Sequence, residues 1–342
     1  MFDQNVKRVG FACKYMAPDQ TISKKLLEEV QRPYNTRSTT ITWLKRQTKE
    51  EAEQRLWDIM VHNVESYKNL ITYVSTLRPE LRMVRLGSDL LPAYTEPSWR
   101  YFWQQSNVQD YLEKHLNTVG DIARQHDVRL SMHPGQFVVL ASDRPEVVER
   151  SIEEFEYHVD CIRYMGYGKT FQDFKCNVHI SGRQGPQGII DILPRLSKEA
   201  RNVITIENDE NSWGIDASII LGPHLALVLD IHHHWVKEGE YIQPGDDRFK
   251  RIIDSWRGIR PAIHYSVSRE DYLVGHDPDV LPNKELLLEQ GYKKGKMRGH
   301  SDMMWNNAVN TWASSFNEFA DIMVESKHKN LASIGFFESF SS

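Results

Sequence analysis

Five apolar stretches of this chain end in a histidine or an acidic residue. Taken in order along the sequence, the terminal residues are His133, His179, Glu207, Asp230 and His264. In a parallel barrel the carboxyl ends of all strands meet at one face, so side chains placed there converge. Imidazole and carboxylate groups are the usual protein ligands of transition-metal ions. The repeated pattern therefore predicts a parallel barrel with a multi-metal site, whereas any one of these histidines alone would be a structural residue at a strand end.

The spacing of apolar and polar residues supports this fold. Short runs rich in Val, Ile and Leu are typical of parallel strands buried on both faces, and longer segments with apolar residues at helical spacing lie between them. We predict strands at 8–13, 82–86, 128–132, 175–180, 202–206, 226–229, 261–265 and 320–325. We predict helices at 49–77, 108–126, 145–165, 189–200 and 307–319. Alternating strands and helices indicate an α/β protein, here a single (β/α)8 TIM-type barrel domain over residues 1–342.

Two segments depart from a regular barrel. Residues 271–299 are polar and rich in Gly, Lys and Pro, which predicts a long loop insertion over the catalytic face, before the last helix–strand pair. The chain after Glu325 is short and ends in GFFESFSS, so we expect the closing helix to be truncated or irregular.

The composition of the chain excludes some classes of protein but does not identify a binding partner. The formal net charge of -5 does not point to nucleic acid, and three cysteines favour a reducing compartment without disulfides. No apolar run reaches the roughly 18 residues of a membrane span, and the first residues lack a signal-peptide core. We therefore expect a soluble cytoplasmic or otherwise intracellular protein, with no membrane partner and no obligate protein partner.

More candidate ligands follow the five strand ends. Asp230 precedes three histidines in LDIHHH, and adjacent residues cannot all face one point, so only some of these histidines are expected to bind metal. His300 in RGHSD and Glu325 in MVESK complete the set. Glu207 lies near the middle of the series and is the natural bridge between ions, which makes it the candidate catalytic residue. Clustered divalent ions are typical of phosphoryl-transfer enzymes.

These motifs together resemble one known family. SMHPGQFVVL, VHISG, TIENDE, LDIHHH, IHYS, GHSD and VESK, with TTITWL and RLGSDLLP, are similar to the UV damage endonucleases, relatives of endonuclease IV. The resemblance implies an endonuclease that nicks double-stranded DNA 5′ to UV photoproducts with two or three divalent metal ions, expected to be manganese. It implies one ion bound by His133, His179 and Glu207, a second by Glu207, Asp230, His264 and Glu325, and a third partly by His233 and His300. It also implies that Gln136 and Phe137 probe the DNA at the lesion.

The chain departs from the family pattern at two positions. Phe137 stands where members often have Tyr, and Ala262 stands where members can have a modified lysine that supports the third ion. The insertion adds basic residues suited to phosphate contacts, although a solvated loop is the alternative. These candidate DNA-binding residues are Lys293, Lys294, Lys296 and Arg298.

Other functions stay open at this point. A metal-dependent sugar isomerase or an AP-endonuclease-type nuclease could use the same scaffold and ligand types. A DNA-damage binding module without turnover is a further alternative, because Ala262 removes a ligand. An open basic rim with a protruding aromatic residue favours a nuclease over an isomerase, which needs a closed pocket.

Overall fold

A computed structural model describes residues 2–341 of the chain. Eight strands alternate with helices along the sequence. The strands are β1 Val9–Ala12, β2 Met83–Leu86, β3 Arg129–Met132, β4 Lys175–His179, β5 Ile204–Glu207, β6 Ala226–Val228, β7 Ala262–Tyr265 and β8 Asp321–Val324. Each overlaps one of the predicted strands, so the predicted strand positions are confirmed to within a few residues.

The eight strands form one parallel sheet in the order β6-β5-β4-β3-β2-β1-β8-β7. The two edge strands, β6 and β7, meet through a parallel bridge between Asp230 and His264, and the backbone N–H of His264 donates to the Leu229 carbonyl at 2.9 Å. This contact brings the sheet to a nearly closed barrel, which confirms the predicted TIM-type fold. It also joins two of the candidate metal ligands directly through their backbones.

The helices surround the barrel. They are α1 Lys24–Gln31, α2 Ile41–Leu44, α3 Lys49–Ser75, α4 Arg100–Trp103, α5 Ser106–Gln125, α6 Pro145–Tyr164, α7 Gly185–Ile192, α8 Lys198–Val203, α9 Ile215–Ser218, α10 Ile231–Glu238, α11 Asp247–Ser255, α12 Lys284–Glu289, α13 Lys294–Met297, α14 Asn307–Ser314 and α15 Lys329–Phe340. Five 3-10 turns lie at Arg32–Tyr34, Pro79–Leu81, Leu193–Arg195, Ile219–Leu221 and Ser315–Glu318. No helix in the described part of the chain is both long and apolar enough to cross a membrane.

The prediction of one helix at 189–200 is wrong. The chain there forms α7, a 3-10 turn that contains Pro194, and then α8. Proline lacks the backbone N–H that a continuing helix needs, so α7 ends before it. Ser197 then starts α8 by accepting a hydrogen bond from the Ala200 backbone N–H at 3.1 Å.

The expectation of a truncated or irregular closing helix is also wrong. The helix α15 is regular over 12 residues. It is anchored by the buried Asn330, whose side chain accepts from the Met16 N–H at 2.8 Å and donates to the Met16 carbonyl at 3.0 Å. These bonds tie the last helix to the segment after β1, a contact between distant parts of the sequence.

The segment 271–299 is partly helical, because it contains α12 and α13. It has a small apolar cluster of its own, in which Leu273, Leu287 and Met297 are buried against Trp235 and Val236 of α10. The insertion is therefore a packed substructure and not an extended loop. The expectation that this insertion lies over the catalytic face remains a prediction for most of its residues.

The interior of the barrel is polar on the side of β4 and β5. Alternate residues of a strand face opposite sides, and Cys176 and Val178 of β4 join the apolar core shared with the helices. Their neighbours Lys175 and Asn177 contact His264 and Glu207 instead. Side chains from different strands therefore meet inside the barrel below its carboxyl-end face.

Candidate metal centre

Glu207 lies at the centre of the candidate site. It ends β5, its side chain is buried, and its β4 neighbour in the register is His179. Its carboxylate oxygens lie 3.5 Å from Nε2 of His133, 3.1 Å from Nδ1 of His264 and 3.4 Å from Nδ1 of His233. One carboxylate thus faces imidazoles from three other parts of the barrel, as the bridging role requires.

Two histidines on one side of Glu207 present one free nitrogen each. Nδ1 of His133 donates to the Pro134 carbonyl at 2.8 Å, which leaves Nε2 facing Glu207. The carboxylate of Asp209 lies 3.3 Å from Nδ1 of His179, and although the pair lacks hydrogen-bond geometry, its negative charge favours the proton on that nitrogen and leaves Nε2 free. The ligand atoms of His133, His179 and Glu207 all lie within 4.8 Å of one another, a spacing that could hold a metal ion.

A second group lies on the other side of Glu207. It consists of Asp230, His264 and Glu325, whose ligand atoms are also within 4.8 Å of one another. Nδ1 of His264 lies 3.2 Å from Glu325, and its Nε2 lies 2.6 Å from Nζ of Lys175. His264 therefore presents Nδ1 to this group, while Lys175 supports the ring from behind.

Only one of the three adjacent histidines faces the site. His233 approaches Glu207, Asp230 at 3.7 Å and Glu210 at 3.6 Å. The ring of His232 stacks on Trp235, and Nε2 of His234 lies 3.0 Å from the carboxylate of Glu240. The choice of His233 over its neighbours, made from its step of three residues after Asp230, agrees with this geometry.

His300 lines the same cleft as His233 and Glu325. It is absent from all four groups of possible ligands found in residues 2–341, and its ring lies 6.3 Å from that of His232. The groups that contain His233 instead include either Glu207 and Asp230 or His179 and Glu210. The pairing of His233 with His300 at a third ion stays a prediction.

The charges of the site favour bound cations. Burial, with Glu207 and Glu325 nearby, raises the pKa of Asp230 to about 8, although His233 acts in the opposite direction. Burial would lower the pKa of His233, but Asp230, Glu207 and Glu210 outweigh it and raise the pKa to about 10. Buried carboxylates this close repel one another unless a positive charge lies between them.

The donor set fits divalent metal ions. Oδ2 of Asp230 and Nδ1 of His264 are buried, and neither forms a hydrogen bond of normal geometry with any described residue. Buried polar atoms without a partner are costly, so a ligand is the expected partner. Histidine nitrogens mixed with carboxylate oxygens suit zinc, manganese or iron. His133, His179, Glu207, Asp230, His264 and Glu325 are thus the residues that would hold the ions.

Several polar residues at the site escaped the sequence analysis. Asn177 donates to Glu207, and Arg85 of β2 pairs with Glu325. Burial lowers the pKa of Lys175 to about 7, while Glu207 acts in the opposite direction. Lys175 enters the barrel from β4, whereas the lysine expected from the resemblance would lie on β7, where this chain has Ala262. The alternation of polar residues along β4 was the available signal.

The candidate metal centre opens into a cleft of about 510 Å³. Gln136 lines this cleft, and Phe137 beside it is 85% exposed, so Phe137 is not a core residue. Arg298 also lines the cleft and pairs with Glu210 at 3.2 Å. Lys296 lies in an adjoining groove with Arg269 and Arg298. Of the four basic candidates, Lys293, Lys294 and Lys296 do not line the cleft itself.

Comparison with known proteins gives a consistent result. The family described as UV-endonuclease UvdE matches residues 7–341. The UV DNA damage endonuclease of Bacillus cereus (strain Q1) is 24% identical over 321 residues, which cover 90% of this chain and 89% of that protein. The protein of the same name from Bacillus anthracis is 23% identical over 321 residues, with the same coverage.

Two solved structures share the fold. SacUVDE superposes with a TM-score of 0.72 at 22% identity, over 98% of this chain and 98% of that chain. Endonuclease IV from Thermus thermophilus superposes with a TM-score of 0.53 at 12% identity, over 80% of this chain and 93% of that chain. Because the family match spans almost the whole sequence, this chain belongs to the UV-endonuclease UvdE family.

Proposed function

We propose that this protein is a DNA repair endonuclease that nicks the backbone of double-stranded DNA 5′ to UV photoproducts by metal-assisted hydrolysis. The observation that carries the proposal is the position of Glu207, within 3.5 Å of ring nitrogens of His133, His264 and His233 at the mouth of the barrel. Relatives named UV DNA damage endonuclease, matched over 90% of this chain, support DNA as the substrate.

Two or three divalent ions, expected to be manganese, would polarise the scissile phosphodiester, lower the pKa of the attacking water and stabilise the leaving oxygen. The role of the protein is to fix the geometry of that chemistry. Glu207 is held by the Asn177 amide, which itself accepts from the Thr205 hydroxyl at 2.8 Å. The Pro134 carbonyl fixes the free nitrogen of His133, and the charge of Asp209 beside Nδ1 favours Nε2 as the free nitrogen of His179.

Recognition of the lesion is assigned to the turn after β3. The backbone N–H of Val138 donates to the Gly135 carbonyl at 3.0 Å, and this turn presents Gln136 and Phe137 to solvent beside the cleft. A crosslinked pyrimidine dimer stacks poorly, so displacing it from the duplex costs less free energy than displacing normal bases. The Phe137 ring and the Gln136 amide would fill the space that the displaced bases leave.

The basic residues of the insertion have unequal roles in this proposal. Arg298 reaches the cleft, so we assign it a contact with a phosphate close to the metal centre. Lys296 lies in the adjoining groove and would contact the backbone further along the duplex. Lys293 is exposed and Lys294 is half-buried, and both would add only a longer-range attraction.

A nicking assay tests the proposal. End-labelled duplex with one cyclobutane pyrimidine dimer is incubated with the protein and Mn²⁺, and the product length gives the position of the nick. We expect a nick 5′ to the dimer, none in the undamaged duplex, and loss of nicking with EDTA that added Mn²⁺ restores. Binding of damaged duplex without any nick would instead identify a binding module.

The variant Glu207→Gln removes the bridging charge while keeping the shape of the side chain. We expect nicking to be abolished and the melting temperature to change by only a few degrees. Glu238→Gln makes the same chemical change at an exposed position of α10 and serves as the control. Full activity of Glu207→Gln would contradict a role for this residue between the ions.

A further inference from the structure

Lys329, the first residue of α15, has a backbone conformation that a lysine rarely adopts. Its φ is 47°, in the left-handed region, where residues other than glycine lose free energy. The side chain is half-buried, unlike that of an ordinary surface lysine. Its ammonium group forms no hydrogen bond and no ion pair with any of residues 2–341. The chain therefore accepts a strained backbone here without using the charge that the side chain carries.

Hydrogen bonds hold the backbone on both sides of Lys329. Before it, the His328 N–H donates to the Asp302 carbonyl at 3.0 Å. After it, the Asn330 side chain bonds the Met16 N–H and carbonyl at 2.8 and 3.0 Å. A strained backbone persists only where the surrounding structure fixes it, and such residues are concentrated at active sites and ligand clamps. The strain at Lys329 is thus imposed by the fold, which points to a role for its side chain.

Lys329 lies on the carboxyl-end side of the barrel, beside the candidate metal centre. Burial lowers the pKa of Lys329, and Arg85 acts in the same direction, whereas Cys13 and Glu325 act against it. Burial also lowers the pKa of His300 in the cleft, and the charge of Lys329 contributes to that change. Glu325 already pairs with Arg85, so the ammonium group of Lys329 has no carboxylate of its own.

We infer that Lys329 binds a backbone phosphate of the nicked DNA strand beside the candidate metal centre. This inference rests on the proposed function and adds one named contact to it. A half-buried ammonium group without an acceptor is costly, and a phosphate oxygen would supply a charged acceptor. Arg298 pairs with Glu210 in the loop after β5, whereas Lys329 lies after β8. The two cations would therefore hold phosphates on different sides of the cleft.

Arg257 offers a matched comparison at the opposite end of the barrel, between α11 and β7. It is also a cation in the left-handed region, with φ at 52°, and its side chain is exposed. Its guanidinium group, however, donates to the His224 carbonyl at 3.2 Å and lies 4.3 Å from the centre of the Phe171 ring. The charge of Arg257 is thus used by the chain itself, so this residue serves as the control.

The test measures how binding depends on salt in the variant Lys329→Asn. Asparagine tolerates the left-handed region, so the melting temperature should not fall. The Mn²⁺-loaded protein is titrated with undamaged duplex, which it is expected to bind without nicking, by fluorescence anisotropy at several NaCl concentrations. One phosphate contact contributes about 0.9 to the slope of log affinity against log salt. We expect the slope to fall by about 0.9 and the affinity to fall by about five- to tenfold at 0.1 M salt.

Nicking of dimer-containing duplex gives a second measurement. Because a phosphate contact does not depend on the lesion, kcat/KM should fall by the same factor as the affinity for undamaged duplex. Lys329→Arg keeps the charge and should retain the slope, and Arg257→Asn should match the wild-type protein. An unchanged slope in Lys329→Asn would overturn the inference while the wild-type protein still nicks, and so would an equal loss in Lys329→Arg. A wild-type protein that neither binds nor nicks would instead refute the proposed function.

If Lys329→Asn does lower the melting temperature, acetylation of the wild-type protein decides. We expect bound duplex to protect Lys329 from acetic anhydride and to leave Lys250, an exposed residue of α11, as reactive as before. Equal acetylation of Lys329 with and without duplex would overturn the inference.

Discussion

Two histidine–carboxylate pairs in this barrel have similar distances but different surroundings. His179 faces Asp209 at 3.3 Å inside the cleft, and His234 faces Glu240 at 3.0 Å outside it. Asp209 is itself fixed, because its Oδ1 accepts from the backbone N–H groups of Asn211 and Ser212 at 2.7 and 2.6 Å. A carboxylate held in this way sets which nitrogen of its histidine carries the proton.

The first residue-scale prediction follows from that pair. In Asp209→Asn the amide oxygen can still accept the hydrogen bonds from the Asn211 and Ser212 backbone N–H groups, while the NH2 group faces Nδ1 of His179. Two donors repel, so the proton moves to Nε2 and blocks the nitrogen that binds the ion. We expect the Mn²⁺ affinity to fall about 10- to 100-fold in a calorimetric titration. Glu240→Gln makes the matching change at His234 and is expected to leave the affinity unchanged; equal affinities in both variants would exclude the positioning role.

The strand-end candidate ligands could be identified from the sequence, but the residues that support them could not. His133, His179 and His264 could be identified because each ends an apolar run. Lys175 could not, because its contact with His264 joins residues 89 positions apart and depends on the closure of the barrel. Glu210 was visible only as one acid among several in TIENDE, and its direction is set by the loop after β5.

At the scale of elements, the same reasoning explains which predictions held. Strands β1 to β8 were predictable because burial on both faces makes each a compact apolar run. The closing helix α15 was not, because it is apolar on most sides and contains Gly335, so it lacks an amphipathic pattern. Its regularity comes from tertiary contacts such as those of Asn330 with Met16.

The turn after β3 gives a prediction about recognition. Phe137 is 85% exposed, so Phe137→Ala should leave the melting temperature and the metal content unchanged. Because stacking of an aromatic ring on a base contributes ~1–3 kcal/mol, we expect binding to damaged duplex to weaken by about ten- to a hundredfold. Phe319→Ala, at a 45% exposed ring just before β8 at the opposite end of the barrel, is the control. An unchanged preference for damaged DNA would remove Phe137 from recognition.

The helix α6 contains a pH-sensitive residue that is not itself a proposed ligand, although His133 lies near enough to contribute to its lowered pKa. His158 is 1% exposed, its Nδ1 lies 2.7 Å from the Glu154 carbonyl, and burial lowers its pKa to about 4. In the unfolded chain the pKa is about 6.5, so the unfolded state takes up the proton first as the pH falls. The free energy of unfolding should therefore decrease between pH 6.5 and 4.

The variant His158→Leu removes this contribution. From urea unfolding in EDTA at pH 7 and pH 5, we expect the wild-type protein to lose about 2 kcal/mol more than the variant between the two values. His126→Leu, at an exposed position after α5, should behave like the wild-type protein. An equal loss in wild-type protein and His158→Leu would show that His158 takes up no extra proton on unfolding.

At the scale of the whole molecule, the two ends of the barrel use buried aspartates in opposite ways. At the amino-end face Asp321 is fully buried and accepts from the Arg8 backbone N–H, Arg260 and Arg129 at 2.8, 2.6 and 2.7 Å. At the carboxyl-end face Asp230 is equally buried, but this burial and the nearby acids Glu207 and Glu325 raise its pKa. The first carboxylate is matched by three cationic or N–H partners of the chain itself, whereas the second faces two other carboxylates and only the His233 ring as a cation, so bound metal ions would supply the missing positive charge.

Substitutions at the two aspartates test whether Asp321 serves stability and Asp230 serves metal binding. Asp321→Asn leaves Arg129 and Arg260 buried without their partner charge, so the free energy of unfolding should fall by about 3–5 kcal/mol. Asp230→Asn relieves repulsion among three carboxylates and keeps a helix-capping side chain, since Asp230 accepts from the His233 N–H at 2.7 Å. In EDTA its free energy of unfolding should equal or exceed that of the wild-type protein.

Added Mn²⁺ should stabilise the wild-type protein and Asp321→Asn, but Asp230→Asn much less, because binding to the folded state alone raises stability. If Asp230→Asn is instead as unstable in EDTA as Asp321→Asn, then both ends of the barrel serve stability and the division is wrong.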